Sequence, residues 1–102
     1  MKLSVLDRIA LLDLLPATGD YTTIRVSHDL RALLSFSEEE HATLKFKQTD
    51  GGGMIWENDF EREFEFGPKA TALIVEALEK ASKEKKLNAD HLRVYEMFME
   101  AA

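Results

Sequence analysis

Leu44-Lys45-Phe46-Lys47-Gln48-Thr49-Asp50-Gly51-Gly52-Gly53-Met54-Ile55-Trp56-Glu57, continuing through Asn58-Asp59 into Phe60-Glu61-Arg62-Glu63-Phe64-Glu65-Phe66, is where the apolar period drops from helical to two. Leu44, Phe46 and Gln48 alternate with two lysines, and Met54-Ile55-Trp56-Glu57 follows a triple glycine. That pattern predicts a β-hairpin with a glycine tip. Asn58-Asp59 is a second turn signal. In the third segment Phe60, Arg62, Phe64 and Phe66 share one face and three glutamates the other. The expectation is a three-stranded antiparallel meander, dry on one side and wet on the other. Its aromatic residues Phe46, Trp56, Phe60, Phe64 and Phe66 would fill the interface between sheet and helices.

Helical patterns flank this segment. Ser4 with Asp7 reads as a capping box opening a helix that stops before Pro16. Its apolar residues cover more of the circumference than one stripe needs, so it is either central or buried against another copy. Asp20 caps a second helix over residues 20–34, with Val26, Leu30 and Leu33 at i, i+4 and i+7. A β-branched run at residues 22–26 is the competing reading, with Ser27 capping a shorter helix. Ser37-Glu38-Glu39-Glu40 is a capping box for a short third helix ending near Leu44. After Gly67-Pro68, the stripe Ala70, Leu73, Ile74, Ala77, Leu78 and Ala81 predicts a fourth helix to about Lys86. Asn88 caps a last one, with Leu92, Tyr95, Phe98 and Met99 on one face. The reading is a small α+β fold in one domain spanning residues 1–102: three helices, a meander, two helices.

Composition excludes several classes. The 102 residues contain no cysteine, so disulfides, thiolate zinc sites and cysteine nucleophiles are out. No apolar run reaches the length of a membrane span. The apolar start is broken by Asp7, Arg8 and Asp13 and lacks a cleavage site, so a cytoplasmic location is expected. The net charge of -6 opposes general affinity for nucleic acid or anionic lipid.

That charge is unevenly placed. Residues 37–66 hold nine acids and three bases, which is -6, while the other 72 residues hold ten of each. Glutamates on a solvated strand account for this as charged edges that resist strand addition. The functional reading is an acidic face for a basic protein partner, carried by Glu57, Glu61, Glu63 and Glu65. On the first helix, Leu6, Ile9 and Leu12 are the candidates for burial in a homo-oligomer, with core burial as the alternative for each.

No catalytic constellation is evident. His28, His41 and His91 lie on separate helices without metal-ligand spacing, and the triple glycine lacks the Lys-Ser/Thr of a phosphate loop. Neither a metal nor a cofactor is called for, and a non-enzymatic role is expected. The order helix, helix, short helix, hairpin is also winged-helix-like, which makes a nucleic-acid-binding regulator the alternative function. Against it, the helix that would read the duplex opens with Glu38-Glu39-Glu40.

Leu15-Pro16 through Gly19-Asp20-Tyr21, and Leu34-Ser35-Phe36-Ser37-Glu38-Glu39-Glu40-His41, resemble small phage and prophage proteins of unassigned function. Phe66-Gly67-Pro68-Lys69-Ala70-Thr71, Lys83-Glu84-Lys85-Lys86-Leu87 and Tyr95-Glu96 are similar to their C-terminal halves. The resemblance implies a bacterial host cell and an accessory, assembly or host-modulating role, and supplies no catalytic residues.

Overall fold

The computed structural model describes residues 1–101. In chain order these form β1 (Lys2–Ser4), α1 (Val5–Leu14), α2 (Tyr21–Leu34), α3 (Glu38–Leu44), β2 (Lys47–Gln48), β3 (Met54–Ile55), β4 (Glu61–Glu63), α4 (Pro68–Lys83), a 3-10 turn (Ala89–His91) and α5 (Leu92–Ala101). The class is α+β, with both expected helix groups present.

Local chemistry explains the helix boundaries. Ser4 and Ser37 each accept from the backbone N–H three residues on, while Asp7 and Glu40 return the bond to the cap backbone. Asp20 caps α2 through the Thr23 N–H, and α2 runs unbroken through the β-branched residues. Those bonds to Thr23 hold the Asp20 carboxyl below its ordinary pKa. Pro68 occupies the first turn of α4, where its missing N–H is harmless. Asn88 accepts from Asp90, and its own N–H donates to Nδ1 of His91.

The expected three-stranded meander does not form. β2 pairs with β3 as a separate two-stranded hairpin, and β4 pairs instead with β1, Leu3 lying opposite Arg62. The chain leaves the hairpin through Asn58 at φ 55°, a left-handed conformation that Asn tolerates, and β4 reaches the N-terminal segment instead. The Phe64 N–H extends this ladder to the Met1 carbonyl at 2.8 Å. The order helix, helix, short helix, hairpin is present, and among the described residues the hairpin stands as a separate two-stranded sheet.

The aromatic expectation is corrected too. The core is mainly helical: Ala10, Leu11 and Leu15 from α1 and its end, Leu30 and Leu34 from α2, Ile74 and Leu78 from α4, Val94 and Phe98 from α5. The strand ladder adds Leu3 of β1 and Phe64, which directly follows β4, with Phe66 packed alongside. Phe46 and Trp56 lie elsewhere, in an edge-to-face series with Phe36 and His41 whose centroids are 5.0–6.1 Å apart. In α5 the buried positions are Val94 and Phe98, whereas Leu92 is exposed. Helix α1 touches α2, α4 and α5, which accounts for its wide apolar surface.

Leu3 makes the unforeseen strand pairing part of the core, being fully buried, whereas Leu6 is 37% exposed. Leu3→Ala is expected to destabilise the protein by about 2–5 kcal/mol in urea unfolding, and Leu6→Ala by under about 1 kcal/mol. Equal losses would contradict this placement.

Candidate functional site

Two adjacent charged residues on the first turn of α1 are almost completely buried: Asp7 at 2% exposure and Arg8 at 1%. A buried charge is tolerated only with partners, and each has them. Arg8 Nε donates to the Leu34 carbonyl (3.1 Å) and Nη2 to the Ser35 carbonyl (2.8 Å), acceptors that the end of α2 leaves free. Nη1 and Nη2 also bond the two oxygens of Glu40, at 2.7 and 3.2 Å. The Phe36 ring lies 4.0 Å from the guanidinium carbon. One arginine therefore clamps α1 to the turn between α2 and α3.

The Arg8 hydrogen bond, then the Ser37 N–H and the nearby Arg8 and Arg62 charges, pull the Glu40 pKa from its ordinary 4.5 to about 2, against a desolvation effect that raises it. Asp7 faces the other way. Its Oδ2 accepts from the Ser4 N–H and lies 3.0 Å from Nη1 of Arg93, whose Nη2 is 2.9 Å from Glu61. The Glu61 hydrogen bond, with the Asp7 charge second, raises the Arg93 pKa. The chain Asp7–Arg93–Glu61 joins α1, α5 and β4.

These pairs absorb much of the glutamate strand. Glu61 meets Arg93, Glu63 lies 2.6 Å from the Met1 amino group, and Glu57 stands 3.9 Å from Lys45. The Met1 amino group's hydrogen bond lowers the Glu63 pKa. Of the four candidate docking glutamates, Glu65 alone has no cation within 4 Å among the described residues. Within residues 37–66, Glu38, Glu39, Asp50 and Asp59 share that status, and Lys47 is the one base there with no carboxylate within 4 Å among the described residues. Glu38 and Glu39 stay exposed because the capping box turns only Glu40 inward. Their surplus moves much of the acidic surface from the strand to α3 and the hairpin.

The candidate oligomer residues divide. Leu6 is exposed, Ile9 half-buried, and Leu12 packs against the core. The hairpin itself presents Met54 and Ile55 to solvent, and its base hangs from α3 by the Glu57 N–H to the Leu44 carbonyl and the Asn58 amide to the Thr43 carbonyl.

Two grooves are notable. One of about 500 Å³ runs between the end of α1, the following turn and α4, and includes buried His91, whose Nε2 is 3.6 Å from Asp13. Cations and carboxylates alternate around it (Lys80, Lys86, Glu76, Glu84), so it favours no single ligand charge. The second, about 570 Å³, lies between α2 and the β4–α4 junction and is mainly apolar. Among the described residues, no three His, Asp or Glu side chains assemble as a metal site. Among the described residues, no helix is long and apolar enough to cross a membrane either.

No protein-family model, curated protein or solved structure matches the chain.

The Glu40 shift carries a sign. A depressed carboxyl pKa stabilises the fold above pH 4.5, and that contribution disappears as pH falls from 4.5 toward 2. Glu40→Gln is expected to be less stable than the parent at pH 7, with the gap closing across that window in denaturant titrations. A pH-independent gap would exclude the linkage.

Proposed function

We propose that the chain is a non-enzymatic protein-interaction module that docks a basic partner protein. The observation that carries this reading is the surplus of unpaired carboxylates within residues 37–66: Glu38, Glu39, Asp50, Asp59 and Glu65 against Lys47. An exposed carboxylate without an internal cation keeps its field for an incoming partner, steering encounter and selecting for positive charge. Glu57, Glu61 and Glu63 contribute less, since a docking cation has to compete with Lys45, Arg93 and the amino terminus. An accessory or host-modulating role in a phage setting fits the resemblance of residues 15–41 and 66–96. The nucleic-acid alternative draws no support from α3, whose first turn presents two free glutamates where a duplex would bring phosphates.

The test is capture from bacterial lysate on the immobilised protein at low and high salt. One basic protein is expected, lost at high salt and lost on Glu38→Gln with Glu39→Gln, but retained on Glu76→Gln with Glu79→Gln, a matched change on α4. Capture indifferent to both salt and the α3 change would overturn the reading, and salt-sensitive retention of labelled duplex DNA would favour the alternative.

A further inference from the structure

His91 is only 4% exposed, yet its two ring nitrogens are committed differently. Nδ1 accepts the Asn88 N–H at 3.1 Å, which closes the capping box of the turn Ala89–His91 leading into α5. A nitrogen that accepts carries a lone pair, so the proton of the neutral ring stands on Nε2. Oδ2 of Asp13 lies 3.6 Å from Nε2, longer than a normal hydrogen bond. Among the described residues no enclosed side-chain nitrogen or oxygen lacks a partner. Nε2 therefore opens to the groove between α1 and α4, which His91 and Asp13 both line.

We propose that His91 is a proton-operated latch on the connection between α4 and α5. Neutral, the ring holds the cap through Asn88; protonated, it gives up that bond and pairs with Asp13. The exchange follows from the count of donors. A second proton, taken from water, goes to the Nδ1 lone pair, the one free site on the ring. Nδ1–H then meets the Asn88 N–H, donor against donor, and their bond is lost. Nε2–H, now on a cation, faces a carboxylate that a small shift brings within bonding distance. The surrounding charge accommodates that cation. From α1 comes Asp13, from α4 come Glu76, Lys80 and Glu84, and Lys86 of the connection is paired with Glu84 at 3.2 Å. Asp90, beside His91 on the turn, is exposed. Helix α5 adds no residue to the groove lining, and its Arg93 is held by Asp7 and Glu61. Asp13 is the one carboxylate within 4 Å of Nε2 among the described residues. Acid therefore loosens the connection over residues 84–91 and redraws one wall of the groove.

The experiment is an NMR titration of the intact, isotope-labelled protein between about pH 8 and about pH 5, the range in which histidine changes charge. The ring nitrogen shifts are expected to place the proton on Nε2 at the alkaline end. The Asn88 amide proton should move upfield with the same midpoint as the ring. His91→Gln, which keeps an acceptor but takes up no proton, should abolish the Asn88 step. Asp13→Asn, an exposed position where folding is not at risk, should move both midpoints together to lower pH. His28→Gln with His41→Gln, at exposed positions on other helices, should leave both unchanged. A neutral ring protonated on Nδ1, a ring that titrates while the Asn88 amide stays put, or an Asn88 step that survives His91→Gln would overturn the latch. So would a ring that stays neutral throughout the range, or midpoints indifferent to Asp13→Asn. The parent and Asp13→Asn titrations decide the matter if His91→Gln fails to fold.

Discussion

The guanidinium of Arg8 is the interaction on which the arrangement of the N-terminal half depends. It supplies donors to two carbonyls at the end of α2, neutralises the carboxylate that caps α3, and lies against Phe36. Replacing Arg8 and Glu40 together by apolar residues would remove the charge problem but leave the Leu34 and Ser35 carbonyls without those donors. The pair is therefore more than an ion pair in the wrong place. It is the means by which the turn between α2 and α3 is tied to the first helix, through donors that an apolar side chain does not carry.

Asp7 and Arg93 extend the same logic toward the C-terminal half. The acid that caps its own helix also receives a cation from α5, and that cation reaches Glu61 on β4. Successive residues of α1 thus tie it to different elements, Arg8 to the α2–α3 turn and Asp7 to α5, and both networks reach β4 through Arg62 and Glu61. The strand pairing β1–β4 sits between these anchors, which explains why a ladder of only three residues holds: it is backed by Leu3 and Phe64 in the core and flanked by paired charge.

This internal use of charge shapes the outer surface. The strand glutamates are largely committed to internal cations, so the free negative charge stands on α3, the hairpin and Glu65.

Helix starts were legible because a capping signal is local: Ser4 with Asp7, Asp20 with Thr23, and Ser37 with Glu40 each lie within four residues. The hairpin and the stripe of α4 were legible for the same reason, since glycine tips and helical periodicity are short-range properties. The acidic excess of residues 37–66 was also plain, as was the possibility that Glu65 belongs to a site. What neighbours in sequence do not determine is which distant cation a carboxylate meets. Arg8 and Asp7 read as charges interrupting an apolar helix, but Glu40 and Arg93, far along the chain, allow both to be almost completely buried. Likewise Phe60–Phe66 alternates as a strand whichever partner it has, and only the competition for the core, won by Leu3, chose β1 over the hairpin. The sequence by itself determined the helices, their caps and the total charge, because those rest on contacts within a turn. Tertiary structure decided the sheet partners, the paired and free glutamates, and the groove, because each depends on bringing together residues that the chain holds far apart.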